Sequence, residues 1–214
     1  MKILALEFSS PVRGVAAKGD SKLGYAEEAG GRETKPFALI DAALRQAGMT
    51  REEVECIAVG LGPGSNAGVR TAIAIAQGWQ LASGVKLVGV SSAELVAAQA
   101  AQLDARNPVH VGLMVRPGEL WVAGYNASIY EQPNLVEPFR PLSADEAKTF
   151  SLFRMDAGSG TEGTDGSKSL FPNAGWLATM ASGRTDFVRG ETLEPISLRP
   201  LQFVKAPPPK FSME

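Results

Sequence analysis

The sequence predicts an α/β fold in two parts, and three observations predict it. Short apolar runs recur at 3–6, 56–60 and 86–90. Segments with apolar residues at helical spacing lie between and after those runs. Beyond Asn107-Pro108 the pattern turns strand-rich, so the chain divides into residues 1–106 and a smaller part, 107–214, with an extended tail.

Ile3 to Leu6 reads as a buried strand that ends at Glu7, Ser9 and Pro11. Residues 14–18 and 22–26 flank Gly19-Asp20-Ser21, a turn cluster suited to a hairpin, so the first three strands form an antiparallel meander. Pro36 fits a first helical position, with Thr34 as the cap; the helix runs from Phe37 to Ala47 and is closed by Gly48. Cys56 to Gly60 is a second buried strand, followed by the glycine turn Gly62-Pro63-Gly64-Ser65 and a long helix from about Gly68 to Ala82. A third buried strand, 86–90, leads to a helix from Ser91 to about Leu103.

After the seam, 110–115, 120–125 and 135–140 read as strands, with Pro117-Gly118 turning between the first two. Ser143-Ala144-Asp145-Glu146 has the form of a capping box opening a short helix. Residues 155–167 make a glycine-rich loop, Pro172 to Ala181 the last helix, and 198–214, with four prolines, an extended tail.

The chain has 214 residues, of which 44% are apolar, and a formal charge of −2. Those values exclude wholesale disorder and lack the basic footprint of a protein that grips nucleic acid alone. Arg184, Arg189, Arg199, Lys205 and Lys210 make the carboxyl end mildly basic, without interleaved aromatics. Cys56 has no second cysteine to pair with, which fits a reducing compartment. His110 is the one histidine, so neither a two-histidine metal centre nor a four-ligand Cys/His zinc site is available. The start of the chain does not read as a signal peptide, and the longest uncharged run, 71–85, falls short of the ~18 apolar residues of a membrane span; a cytoplasmic location is expected.

The sharpest local feature is the turn from Val59 to Arg70, set between a strand and a helix. Converging backbone N–H groups and the positive end of a helix suit a phosphate or carboxylate, making Gly62, Gly64 and Ser65 anion- or nucleotide-binding candidates. The spacing is not that of the GxxxxGK[ST] phosphate loop. A tight turn that needs glycine for steric reasons accounts for the same residues.

Four segments together resemble the TsaB (YeaZ) family: Ile3-Leu4-Ala5-Leu6-Glu7-Phe8-Ser9, Gly62 through Arg70, Val88-Gly89-Val90-Ser91-Ser92, and Arg116-Pro117-Gly118-Glu119-Leu120-Trp121. The resemblance is strong over 1–125; beyond, Glu194-Pro195 and Leu198-Arg199 are similar to the family's closing segment. It implies a two-lobed, actin-like (ASKHA, ribonuclease H-like) α/β fold. It implies a chain that is not an enzyme but a scaffold and activator, bound as a heterodimer to a TsaD-like catalytic subunit. That subunit's pathway places threonylcarbamate on the tRNA adenosine beside the anticodon. Alone, such a chain forms a homodimer; a TsaE-like ATPase and tRNA are reached through the complex, and no membrane is involved. No cofactor is required, with room left for weak nucleotide binding.

The chain departs from the family in places. Glu7-Phe8-Ser9 stands for Asp-Thr-Ser, Ser65-Asn66-Ala67-Gly68 for Ser-Phe-Thr-Gly, and Arg32 or its neighbour for a family histidine. Phe8 and Ala67 each remove a hydroxyl, which weakens nucleotide binding. The alternative to a scaffold is an ASKHA-type phosphotransferase acting alone, with Glu7 or Asp156 as general base; either also reads as an ordinary cap or turn residue. No serine has a histidine and an acid that the sequence nominates beside it, and the ligands of a metalloprotease are missing.

Helical periodicity gives an independent reading of a partner surface. On a wheel with ~100° per residue, the apolar and small residues of the 68–82 helix cover roughly 220°, wider than one sheet needs. Arg70, Gln77 and Gln80 mark its polar side, with Ile73 among them. In the preceding helix Phe37, Ile40, Ala43, Leu44 and Ala47 form the core stripe, and Leu39 and Ala42 fall outside it. Leu39, Ala42, Ile73 and Gln77 are therefore the expected partner interface. Helices buried between layers of the same chain, or scattered surface apolars, are the competing account.

Overall fold

The apolar runs 3–6 and 56–60 become inner strands of a sheet because each is buried on both faces, and 86–90 becomes the sheet's edge strand. The computed structural model describes residues 1–29, 34–103, 107–128, 132–147, 150–156 and 167–199. Strand β1 (Ile3–Glu7) is buried at every position and lies at the centre of a five-stranded sheet of order β3-β2-β1-β4-β5. On one side β2 (Val12–Lys18) and β3 (Leu23–Ala29) complete the antiparallel meander. On the other, β4 (Cys56–Gly60) and β5 (Lys86–Val90) run parallel to β1, with Ile3 opposite Cys56 and Cys56 opposite Lys86.

The two-residue period of a strand divides the sheet's apolar residues between two cores. Leu4, Leu6, Ile57 and Val59 face helices α1 (Pro36–Ala47) and α2 (Asn66–Ser83). Ile3, Ala5, Cys56 and Ala58 face α5 (Ala174–Ala181) and Leu95 of α3 (Ser92–Leu103). Helix α3 is wedged between layers: Ala93, Val96, Ala97 and Ala100 pack on the second sheet. That sheet has the order β10-β9-β6-β7-β8, from β6 (Val109–Arg116), β7 (Glu119–Asn126), β8 (Asn134–Pro141), β9 (Phe153–Arg154) and β10 (Lys168–Ser169).

Several local details differ from the sequence reading. The N-cap of α1 is Lys35, not Thr34, and carries no side-chain capping bond. Helix α2 begins at Asn66 because Ser65 Oγ accepts from the Gly68 N–H at 3.3 Å. The last helix starts after Asn173, whose Oδ1 accepts from the N–H groups of Gly175 (2.8 Å) and Trp176 (3.3 Å), leaving Pro172 outside. The capping box at Ser143 forms on both sides: Glu146 N–H reaches Ser143 Oγ at 3.2 Å and Ser143 N–H reaches Glu146 Oε2 at 2.9 Å, opening α4 (Ala144–Ala147). Strands β9 and β10 and a 3-10 turn at Gly190–Thr192 are too short to leave a periodic signal.

The chain beyond the Asn107-Pro108 seam returns to the first sheet, since α5 packs on β1 and β2. Arg32, Lys205, Lys210, residues 157–166 of the glycine-rich loop and the tail from 200 lie outside the described residues. Among the described residues no helix is long and apolar enough to cross a membrane.

Candidate functional sites on the two sides of helix α2

Glu7 ends β1 with its side chain wholly buried. Its Oε1 accepts from the Ser9 N–H at 2.8 Å, and its Oε2 from Ser92 Oγ at 2.8 Å. Ser92 Oγ in turn accepts from the Gly62 N–H at 3.0 Å, and the Ser92 N–H donates to the Gly62 carbonyl at 2.7 Å. Gly60 makes room for this carboxyl: a Cβ there would stand 1.8 Å from Glu7 Oε2. Burial pushes the Glu7 carboxyl above its ordinary range, against the opposing pull of the bonds from Ser9 and Ser92. Glu7 is thus an internal strut that ties β1 to the glycine turn and to the start of α3.

The glycine turn is shaped by the same close approach. A Cβ on Gly64 would stand 2.2 Å from the Ser9 carbonyl oxygen, and one on Gly68 2.0 Å from that of Phe8. The Ser65 N–H donates to the Ser9 carbonyl at 2.6 Å. Of the three anion candidates, Gly64 and Ser65 line the adjoining cleft and Gly62 does not. The N–H groups of Gly62, Ser65 and Gly68 all have partners inside the chain. The Phe8 ring is buried in the core against α1 and α2, and Ala67 is exposed.

The cleft measures about 1050 Å³ and lies between the two sheets. Ser9 to Pro11, Arg13 and α2 as far as Gln77 form one wall, Leu113 to Val115 with Met155 and Asp156 the second, and Leu193 to Arg199 the third. Asp156 reaches the cleft but is engaged: Oδ2 pairs with Arg154 at 2.5 Å and Oδ1 accepts from the Met114 N–H at 3.2 Å. Glu119, in the β6–β7 hairpin, accepts from Trp121 Nε1 at 2.8 Å and from Arg199 Nε at 3.0 Å. These bonds, Arg199's first, hold its carboxyl below the usual range. Two motifs about 80 residues apart, Arg116–Trp121 and Leu198-Arg199, therefore meet at one ion pair.

His110 stands on β6 of the second sheet. Its Nε2 lies 3.2 Å from Glu137 Oε2, and its ring meets Phe150 edge-on at 5.1 Å. Among the described residues no group of three His, Cys, Asp or Glu side chains is placed to hold an ion.

Across α2 from its glutamine face is an apolar groove of about 690 Å³. Pro36 and Phe37 line it from α1, and Ala74, Ile75, Gly78, Trp79 and Ala82 from α2. Phe37 is 56% exposed, so it is not part of the α1 core stripe; Ile40, Ala43, Leu44 and Ala47 are. The four expected interface residues do not line this groove. Leu39 and Ala42 are half-buried, with Leu39 packed on the core. Ile73 is 6% exposed, a core residue that also lines the cleft. Gln77 Nε2 donates to the Gly190 carbonyl at 2.8 Å. The reason is topological: the returning segment at Gly190 covers the polar side of α2, and the apolar flank is left open. Gly78, unsupported in mid-helix, was the signal in the sequence that marked this flank.

Comparison with known proteins follows the same lines. Residues 36–132 match the family model described as TsaD, tRNA N6-adenosine threonylcarbamoyltransferase. The tRNA threonylcarbamoyladenosine biosynthesis protein TsaB of Escherichia coli (strain K12) is 30% identical over 127 residues, 58% of this chain and 55% of that protein. The chain thus matches little more than half the length of that relative. Among solved structures, YeaZ from Pseudomonas aeruginosa superposes with a TM-score of 0.75 at 24% identity, covering 92% of this chain and 99% of that one. A second Pseudomonas aeruginosa structure, described by its similarity to peptidase YeaZ, gives 0.76 at the same identity and coverage. These likenesses establish the two-sheet α/β fold. One expectation is corrected. That the chain is not an enzyme is overturned by the peptidase description of its structural neighbour, and the matched family model is itself that of a transferase.

Proposed function

We propose that this chain acts as a TsaB/YeaZ-family protein in threonylcarbamoyl modification of tRNA, by docking a TsaD-like subunit onto the groove between α1 and α2. The observation that carries this reading is the groove itself, and Gly78 within it. A glycine inside a helix costs about 0.5–1 kcal/mol relative to alanine. Beyond its own turn of helix, no atom of the described residues lies within 4 Å of where its Cβ would stand. The fold makes no use of the missing side chain, whereas a partner helix crossing there does. Phe37 and Trp79 flank the site as aromatic anchors of the kind that dominate binding energy at interfaces. The remaining family subunits and tRNA are reached through the bound subunit, consistent with a net charge of −2.

Ala74 and Ala82 are exposed in the groove, so replacing both with arginine leaves the cores untouched. The Ala74→Arg, Ala82→Arg protein is expected to unfold within about 0.5 kcal/mol of the parent. Its affinity for the TsaD-like subunit should fall at least tenfold, and modified adenosine should be lost from the reconstituted pathway. Unchanged co-elution and unchanged modification by this variant would remove the groove from the mechanism.

A further inference from the structure

The segment 190–199 forms one wall of the cleft, and its two ends are held in different ways. At its start Gly190 is gripped by α2: the N–H donates to Gln80 Oε1 at 2.7 Å and the carbonyl accepts from Gln77 Nε2 at 2.8 Å. A Cβ on Gly190 would stand 2.9 Å from Gln77 Cγ, and Leu193 is buried in the core against α1 and α2. Midway the Ile196 N–H donates to the Leu61 carbonyl at 2.8 Å, while the Glu194, Ile196 and Ser197 side chains are exposed. At the far end Arg199 forks onto Glu119, which belongs to the other sheet.

The geometry points to a hinged strap: residues 194–199 close the cleft while Arg199 grips Glu119, and swing about Leu193 when that ion pair opens. The fixed end rests on buried contacts to the first sheet's layer. The Arg199 end rests, among the described residues, on a partly exposed ion pair, which holds weakly and is screened by salt. The width of the cleft is therefore set by ionic conditions, or by any acidic or basic group that competes for Arg199 or Glu119. The strap lies along the glutamine side of α2, so this inference does not depend on the docking groove.

Amide exchange in the full chain tests it, comparing the Ile196 N–H with the Leu193 N–H, which donates to the Gly190 carbonyl at 3.0 Å. In Arg199→Gln the Ile196 amide is expected to exchange about threefold faster or more, with Leu193 unchanged. Raising salt should reproduce the effect in the parent protein and add nothing in the variant. Thiol labelling of Met114→Cys, whose side chain lines the cleft, should quicken by a similar factor when Arg199→Gln is added. The double variant Glu119→Arg, Arg199→Glu should return both rates to the parent values. An Ile196 rate that does not respond, a Leu193 rate that rises with it, or a swap that restores nothing would overturn the strap.

Discussion

Helix α2 carries two interior glycines, and they teach opposite lessons. At Gly68 a methyl group would stand 2.0 Å from the Phe8 carbonyl oxygen, so the fold itself forbids a side chain. At Gly78 a methyl group would meet no described atom within 4 Å beyond its own turn of helix. The buried residues of α2 all lie at or before Ala76, and Leu81 is 89% exposed. The first half of the helix is committed to its own chain, through the turn that Glu7 braces; in the second half Gln77 and Gln80 still hold Gly190, while the flank with Gly78 and Ala82 is presented outward. A glycine is informative only once its surroundings are known: the first records a contact already made, the second leaves space for one.

The largest effect that tests this contrast is Gly68→Ala. The added methyl must displace backbone on β1's continuation or break the start of α2, and a loss of about 3 kcal/mol is expected from overpacking. A denaturant midpoint close to the parent's would mean that the approach of Phe8 to α2 is not fixed. Gly78→Leu should sharpen the other side of the comparison. The isolated chain should gain a few tenths of a kcal/mol from better helix propensity, while binding to a TsaD-like subunit falls at least tenfold, about 1.4 kcal/mol. Stability and binding would then move in opposite directions at one residue. Gly78→Ala is the smaller companion: about 0.5–1 kcal/mol of added stability in urea melts, and no gain would place an unrecognised contact at that position.

How far the sequence reaches follows the same division. Buried parallel strands such as Cys56–Gly60 announce themselves as continuous apolar runs, and the glycine turn and the Ser143 capping box stand in their short-range chemistry. What the sequence hides is contact between distant segments. The helical wheel treated Gln77 and Ile73 as outward because it had no means of placing Gly190, more than a hundred residues on, against Gln77 and Gln80. Phe37 read as core by its spacing, yet it sits in the first turn of α1, beyond the sheet that covers Ile40 and Leu44. Likewise a carboxylate at a strand end suggests a base for catalysis, and it takes the buried bonds to Ser9 and Ser92 to identify Glu7 as a strut.

The strut gives the subtlest prediction. Burial raises the folded-state pKa of Glu7 above its ordinary 4.5, so its carboxyl favours the folded chain most fully below that value. That contribution is lost as pH rises through the folded-state pKa, because the native state must then hold a buried charge. Glu7→Gln keeps an oxygen for the Ser9 N–H, offers an N–H to Ser92 Oγ, and has no proton to lose. The stability of the parent relative to this variant should therefore decline as pH rises above 4.5, as followed by urea unfolding at several pH values. A difference that stays constant would mean that Glu7 does not titrate with folding. A difference that grows in the parent's favour would mean that the bonds from Ser9 and Ser92 hold the carboxylate more firmly than burial penalises it, making the turn an arrangement organised around a fixed negative charge.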